Sequence, residues 1–213
     1  MAVDEIALRG EYDIVAEILA GKHSPIVIDL GANIGLFSML VFNLASSATV
    51  YSVEPSRVTY QVLEKNRKAN PKLNWQTYWS AIWVDDGEIG FIEDTKASTA
   101  SYVNATGGNT VVPSMSLATL FSKCTKSSID LLKVDIEGSE EEVLCQNSDL
   151  LSRVETIIVE IHPYRCNETR VVRTLQGAFD YLYDLGGSRG SKKPLLLASR
   201  TPYDLPEYSG IGR

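Results

Sequence analysis

Three ionisable residues alternate with aliphatic ones in Leu132-Lys133-Val134-Asp135-Ile136-Glu137. At a strand's period of two, Lys133, Asp135 and Glu137 share one face and the aliphatic residues the other. Charges at the end of a buried strand are costly unless they are paired or used. Lys133, the most inward, is expected to pair with a carboxylate, and Asp135 to project into a cleft. A second strand pattern, TIIVEIHP, brings Glu160 and His162 to one face at its C-terminal end. Imidazole has an ordinary pKa of about 6.5, which suits proton transfer near neutral pH. His162 is therefore the candidate general base, with Glu160 or Asp135 orienting its ring. His23, the only other histidine, lies in a loop and is given no role. Asp135, Glu137, Glu160 and His162 could also surround a divalent ion. Their spacing matches no recognised metal motif, so no metal is expected.

A glycine loop, Asp29-Leu30-Gly31-Ala32-Asn33-Ile34-Gly35, follows the β-branched run Ile26-Val27-Ile28 and precedes a helical pattern. Open α/β sheets bind ligands at such a place. The loop has the form GxNxG. A dinucleotide loop needs a second glycine two residues after the first, so that a pyrophosphate can sit on the helix N-terminus. Asn33 occupies that position here, and the loop suits a ligand without a pyrophosphate. Glu54 ends the next strand, where an acid can accept two hydrogen bonds from a ribose diol. Both NAD and S-adenosylmethionine carry a ribose, so Glu54 does not choose between them.

The elements that must carry these residues alternate. Residues 9–20 place Ile14, Val15, Ile18 and Leu19 on one helical face, stopped by Gly21. Strands are expected over 26–30, 48–55, 74–83, 88–94, 129–134 and 154–163. Helices are expected over 36–45, 56–70 with Ser56 as N-cap, 116–124, 139–146 and 168–179. Two last strands, 179–185 and 194–200, flank a short turn and should run antiparallel. This order argues for one domain, 1–213, built on a mostly parallel sheet with helices on both faces. Its halves are 26–90 and 91–200. Residues 94–110 read as a long loop, and the tail from Tyr203 as loosely ordered. Glu140, Glu141 and Glu142 read as the acidic first turn of a helix. Trp75, Tyr78, Trp79 and Trp83 read as core packing.

Composition narrows the partners. Among 213 residues, 20 Lys and Arg stand against 27 Asp and Glu, a formal charge of −7. That argues against a nucleic-acid partner. No apolar run approaches the ~18 residues of a membrane span, and the acidic start is no secretory signal. Cys124, Cys145 and Cys166, without a CxxC, fit a reducing, cytoplasmic compartment.

The segments DLGANIGLFS, VEP, LLKVDIEGSEEEVL and IVEIHP resemble the FkbM-type S-adenosylmethionine-dependent methyltransferases over about residues 26–163. The resemblance implies a Rossmann-like class I methyltransferase fold of about seven strands, the last inserted antiparallel. It implies that Asp29, Gly31, Asn33 and Gly35 surround the methionine part of the cofactor and that Glu54 holds the ribose. Pro55 and Ser56 would flank the adenine, with Ser80, Ala81 and Ile82 closing its other side. Asp135 would face the sulfonium and the acceptor. Family members are generally O-methyltransferases of sugars, polyketides or related small molecules. The expected partner is a small-molecule or saccharide acceptor, with no nucleic acid and no membrane, and self-association is left open.

Transfer to a hydroxyl requires the oxygen in line with the S–CH₃ bond and removal of its proton during attack. Ser98, Thr99, Ser101 and Tyr102 are expected to touch the acceptor or form a lid. Two other readings share the fold. A nucleotide-dependent oxidoreductase is disfavoured by GxNxG, and a non-catalytic cofactor-binding regulatory module by His162 beside the acids. A nucleic-acid methyltransferase is disfavoured by the acidity and by the lack of an NPPY-like segment.

Overall fold

The computed structural model describes residues 12–94, 101–186 and 193–209. The first helix, α1, spans Ile14–Leu19 and buries Val15, Ile18 and Leu19; residues 9–11 of the expected helix lie outside the described residues. Strand β1 (Ile26–Leu30), helix α2 (Leu36–Leu44), β2 (Thr49–Glu54), α3 (Arg57–Ala69) and β3 (Asn74–Trp79) follow. Short strands β4 (Ala81–Trp83), β5 (Gly87–Ile92), β6 (Tyr102–Val103) and β7 (Thr110–Ser116) come next, then α4 (Leu117–Ser122). The second half holds β8 (Leu131–Val134), α5 (Glu140–Cys145), a 3-10 turn (Ser148–Arg153), β9 (Thr156–Glu160), α6 (Glu168–Ala178), β10 (Tyr181–Asp184) and β11 (Leu195–Ser199).

Seven strands form one sheet in the order β10-β11-β9-β8-β1-β2-β3. β1 pairs in parallel with β2 and β8, β2 with β3, and β8 with β9. β11 is antiparallel to both β9 and β10, between which it is inserted. The expected α/β architecture is therefore present. Every residue of β1, β2 and β8 is buried, as β-branched and aliphatic runs covered on both faces require. Alternate residues enter two cores. Ile28, Leu132 and Val159 pack with Val143 and Val172 on one side, and Val27, Leu131 and Ile158 pack with Val15 and Phe37 on the other.

Three expectations change. The segment 74–83 is two strands rather than one, broken at Ser80. β3 belongs to the large sheet, whereas β4 opens a second sheet of order β4-β7-β5-β6. Buried Ser80 joins the two: its N–H donates to the Glu54 carbonyl at 3.2 Å and its hydroxyl to the Pro113 carbonyl at 3.0 Å. The span 94–110 is not all loop, since Tyr102–Val103 pairs with β5 and Thr110 begins β7. The described part of the tail, residues 203–209, lies against β10: the Asp184 N–H donates to the Pro206 carbonyl at 3.1 Å and that of Tyr208 to the Leu182 carbonyl at 3.0 Å. Among the described residues, no helix is long and apolar enough to cross a membrane.

Gly35 turns the chain into α2 at φ +91°. A Cβ there would lie 2.7 Å from Leu63 Cδ1 and Trp75 Cζ2, inside the contact of the loop with α3 and β3. Left-handed strain costs about 1–2 kcal/mol and overpacking about 1–3 kcal/mol. Gly35→Ala is expected to lower the unfolding free energy by about 2–5 kcal/mol, read by denaturant titration.

Candidate active site

The site begins where β1 ends. Gly31 takes φ +72°, and a Cβ on it would collide with the Asp135 carbonyl oxygen. Only glycine lets the tips of β1 and β8 meet this closely; the Asp135 N–H donates to the Leu30 carbonyl at 3.1 Å. Asn33 is also left-handed, φ +51°, and its side-chain oxygen accepts from the Ile34 N–H at 2.8 Å. Asparagine tolerates such a turn by bonding locally.

Glu54 ties this loop to the next strand. One of its oxygens accepts from the Asn33 N–H at 2.9 Å and the other from the Ser56 N–H at 2.8 Å. Burial pushes its carboxyl up to about 7, against the pull of these two N–H groups and of Lys133. The Ser56 hydroxyl accepts from the Thr59 N–H at 3.3 Å and caps α3.

Behind the loop runs a chain of buried polar groups. Asp29 and Lys133 sit opposite each other in register on β1 and β8, 3.2 Å apart. The Lys133 ammonium also donates to the Gly31 carbonyl at 3.0 Å and lies 3.6 Å from Asp135. Burial disfavours its charge, but Asp29 and Asp135 outweigh that and hold its pKa above the ordinary lysine value. On the other side of Asp29, the Ser38 hydroxyl donates to it at 2.7 Å. Ser38 has then spent its one hydrogen, so Ser52, 2.8 Å away, donates to Ser38. Ser52 in turn accepts from the Trp75 indole N–H at 2.7 Å.

A cavity opens above these tips. Gly31, Asn33, Glu54 and Pro55 line one side, Ser80, Ala81 and Ile82 another, and Asp135 the floor. Eight of the residues expected around the cofactor thus share one cavity. Asp29, Gly35 and Ser56 do not line it; they support the loop, the helix start and the cap from behind. The small sheet supplies a wall that the sequence reading did not include, Phe91 and Val103. Ser101 and Tyr102, expected at the acceptor, line this same cavity, whereas Ser98 and Thr99 lie outside the described residues.

Beside the cavity lies a cluster of acids around one ring. His162 is fully buried. Its Nδ1 is 2.7 Å from Glu140; its Nε2 is 3.2 Å from Glu137 and 3.9 Å from both Asp135 and Glu160. Burial alone would keep the ring neutral, yet contacts with Glu137 and Glu140 push its pKa up to about 10. Glu137 is held left-handed at φ +53°, with Arg165 3.3 Å and Lys193 3.5 Å from its carboxylate. Lys193 also sits 3.2 Å from Glu160, whose carboxyl burial and Asp135 push up to about 7. A groove continues past Glu137, lined by Trp83, Tyr102, Asn104, Thr106, Glu142 and Arg165. The Arg165 guanidinium lies 3.8 Å from the centre of the Tyr102 ring.

Lys133, Asp135, Glu137, Glu160 and His162 therefore do assemble. Glu140, Glu141 and Glu142 do form the acidic first turn of α5, but the part Glu140 plays in the site was missed: it is fully buried, accepting from the Gly138 N–H at 3.0 Å and lying 2.7 Å from the ring. A signal was present, because Glu140 stands three and four residues before buried Val143 and Leu144, on the inward face of the helix. Tyr12 was also missed; buried against Phe37, it shares the electrostatic neighbourhood of Lys133, Asp135 and Glu160. No strand or loop pattern marks it.

A parallel sheet with one antiparallel insertion and a ligand cavity at the strand tips defines a class I methyltransferase fold. The chain belongs to the FkbM methyltransferase domain family, whose model matches residues 29–186. It is similar to hexuronic acid methyltransferase AglP of Haloferax volcanii, 28% identical over 156 residues, 73% of this chain and 64% of AglP. The chain thus spans just under two thirds of that relative. Magnesium protoporphyrin IX methyltransferase from Synechocystis, solved with bound SAM, shares the fold at TM-score 0.52 and 16% identity, over 90% of this chain and 78% of that one. Precorrin-6y C5,15-methyltransferase from Geobacter metallireducens does so at 0.53 and 11%, over 89% and 87%.

Glu54 gives a test by pH. The folded chain keeps its proton up to about pH 7, whereas the unfolded chain releases it near 4.5. Between these values the folded state binds more protons, so stability falls as pH rises. Glu160, with its carboxyl also raised to about 7, slopes the same way, so Glu54→Gln is expected to remove only its own share, lessening the fall in stability from pH 4.5 to 7.5 by on the order of 3 kcal/mol in chemical denaturation.

Proposed function

We propose that this chain transfers a methyl group from S-adenosylmethionine to a hydroxyl of a saccharide-like or other small acceptor. The observation that carries the reading is Glu54. It is a buried carboxylate beside the cavity, held by two backbone N–H groups. A carboxylate has about four acceptor sites, so two remain for a ribose diol. When bound, S-adenosylmethionine supplies a methyl on a sulfonium, already electrophilic. The chain must then hold the acceptor oxygen in line and take its proton.

The groove past Glu137 suits the acceptor. Trp83 and Tyr102 offer aromatic faces, and Asn104, Thr106, Glu142 and Arg165 offer polar edges. The likeness to AglP supports a saccharide there. Glu160, partly exposed at the tip of β9 beside Asp135, is the carboxylate assigned to receive the proton. His162, expected to do so, has no exposed atom and acts through the acids in front of it. The oxidoreductase and non-catalytic readings share the cavity and separate from this one by ligand and turnover.

Calorimetric titration with S-adenosylhomocysteine tests the reading. Wild type is expected to bind it and to ignore NAD, and Glu54→Ala to bind it at least ~tenfold more weakly. A folded chain that binds no S-adenosylhomocysteine sinks the proposal. With an acceptor in hand, Glu160→Gln is expected to lower kcat by roughly 10²–10⁴ while S-adenosylhomocysteine binding stays at the wild-type level.

A further inference from the structure

His162 Nε2 is fully buried and, among the described residues, has no hydrogen-bond partner. Its nearest oxygen, on Glu137 at 3.2 Å, is an ion-pair contact, and the next belong to Asp135 and Glu160. The opposite nitrogen is committed: Nδ1 lies 2.7 Å from the buried Glu140 carboxylate, to which it donates. A carboxylate that holds one ring nitrogen and aims the other into a pair of acids is the arrangement of a metal-ligating histidine with its outer partner.

The ligand atoms are close enough. One atom each from Asp135, Glu137 and His162 lie within 4.8 Å of one another. At metal–ligand bonds of about 2.1 Å, ligands at right angles lie about 3.0 Å apart and opposed ones about 4.2 Å. The distances of Nε2 to Glu137 and Asp135, 3.2 and 3.9 Å, fall in that range. Charge points the same way. Lys133, Lys193 and Arg165 already pair with the acids here. The five carboxylates of Asp29, Asp135, Glu137, Glu140 and Glu160 still outnumber them among the described residues, even with a protonated His162 counted as a fourth cation.

We propose that Asp135, Glu137 and His162 form a divalent-cation site of the Mg²⁺/Mn²⁺ class, with Glu140 orienting the imidazole. Two carboxylates and one imidazole favour a hard to borderline ion that keeps open positions. Asp135 and Glu137 also line the cavity, so those positions face it. The site stands on its own geometry. Its use, to bind the acceptor hydroxyl and make it more acidic, rests on the transferase reading, with Glu160 outside the ligand set and still able to take the proton.

The test is titration of Mn²⁺ into the chain without S-adenosylhomocysteine or acceptor, followed by electron paramagnetic resonance. One bound ion per chain is expected, with an imidazole-nitrogen modulation in the spin echo that His162→Gln abolishes. Asp135→Asn and Glu137→Gln, each checked for folding by thermal unfolding, should weaken binding about tenfold or more. They keep the test decisive if the buried His162 variant does not fold. No stoichiometric Mn²⁺, Mn²⁺ without nitrogen coupling, or affinity unmoved by both carboxylate variants overturns the site and leaves a buried imidazolium. S-adenosylhomocysteine is titrated into the same preparation. Its binding without Mn²⁺ removes only the metal site, and Mn²⁺ binding without it removes only the transferase reading.

Discussion

The pair Asp29–Lys133, buried between the two central strands, is the contact on which the site rests. Removing either partner would strand a charge in the interior, at a typical cost of 3–5 kcal/mol. The pair does not stand alone. Trp75, Ser52 and Ser38 deliver hydrogens in one direction toward Asp29, while Lys133 reaches forward to Gly31 and Asp135. This line crosses β3, β2, β1 and β8, one residue per strand. A slip of any strand by one residue would turn its polar member to the opposite face. The same groups that fix strand register therefore fix the glycine loop and the floor of the cavity.

The cavity is a product of two sheets. The large sheet contributes its strand tips, and the small one a wall. Ser80 is the joint between them, bonded to β2 through its N–H and to β7 through its hydroxyl. Glu54 has a similar double attachment, to the turn after β1 and to the start of α3. Each is small or compact enough to be buried at a junction, and each is satisfied by backbone groups that cannot move independently of their strands.

Much of this was legible in the residues. The β-branched run before Asp29, GxNxG and the strand-end Glu54 located the first half of the site, because buried parallel strands and tight βα turns leave strong local patterns. The alternation of Lys133, Asp135 and Glu137 gave the second half. What stayed hidden depends on long-range packing. The break at Ser80 is invisible because Asn74 to Trp83 is β-forming throughout, and only the second sheet decides where it divides. Tyr102–Val103 is too short to show a period, and Pro113 argues against a strand until β7 is seen beside β5. Glu140 was read by its charge, whereas its helical phase with Val143 and Leu144 governs where it points. His162 was read by its ordinary pKa; the four carboxylates around it come from two stretches of the chain, residues 135–140 and Glu160.

The insertion of β11 between β9 and β10 constrains the order in which the molecule can form. β10 is made first along the chain but touches no strand of the large sheet except β11. A nascent chain ending at Asp184 has β10 without a neighbour and β9 with an open edge. Such an edge is a template for the wrong partner. The last five-residue strand, Leu195–Ser199, closes both at once. Its pairing is local on one side, with Asp184 against Leu196, and long-range on the other, with Leu195 against Glu160. Completion of the sheet therefore waits until Leu195–Ser199 has been made, and the Glu160 tip gains its final neighbour in that step.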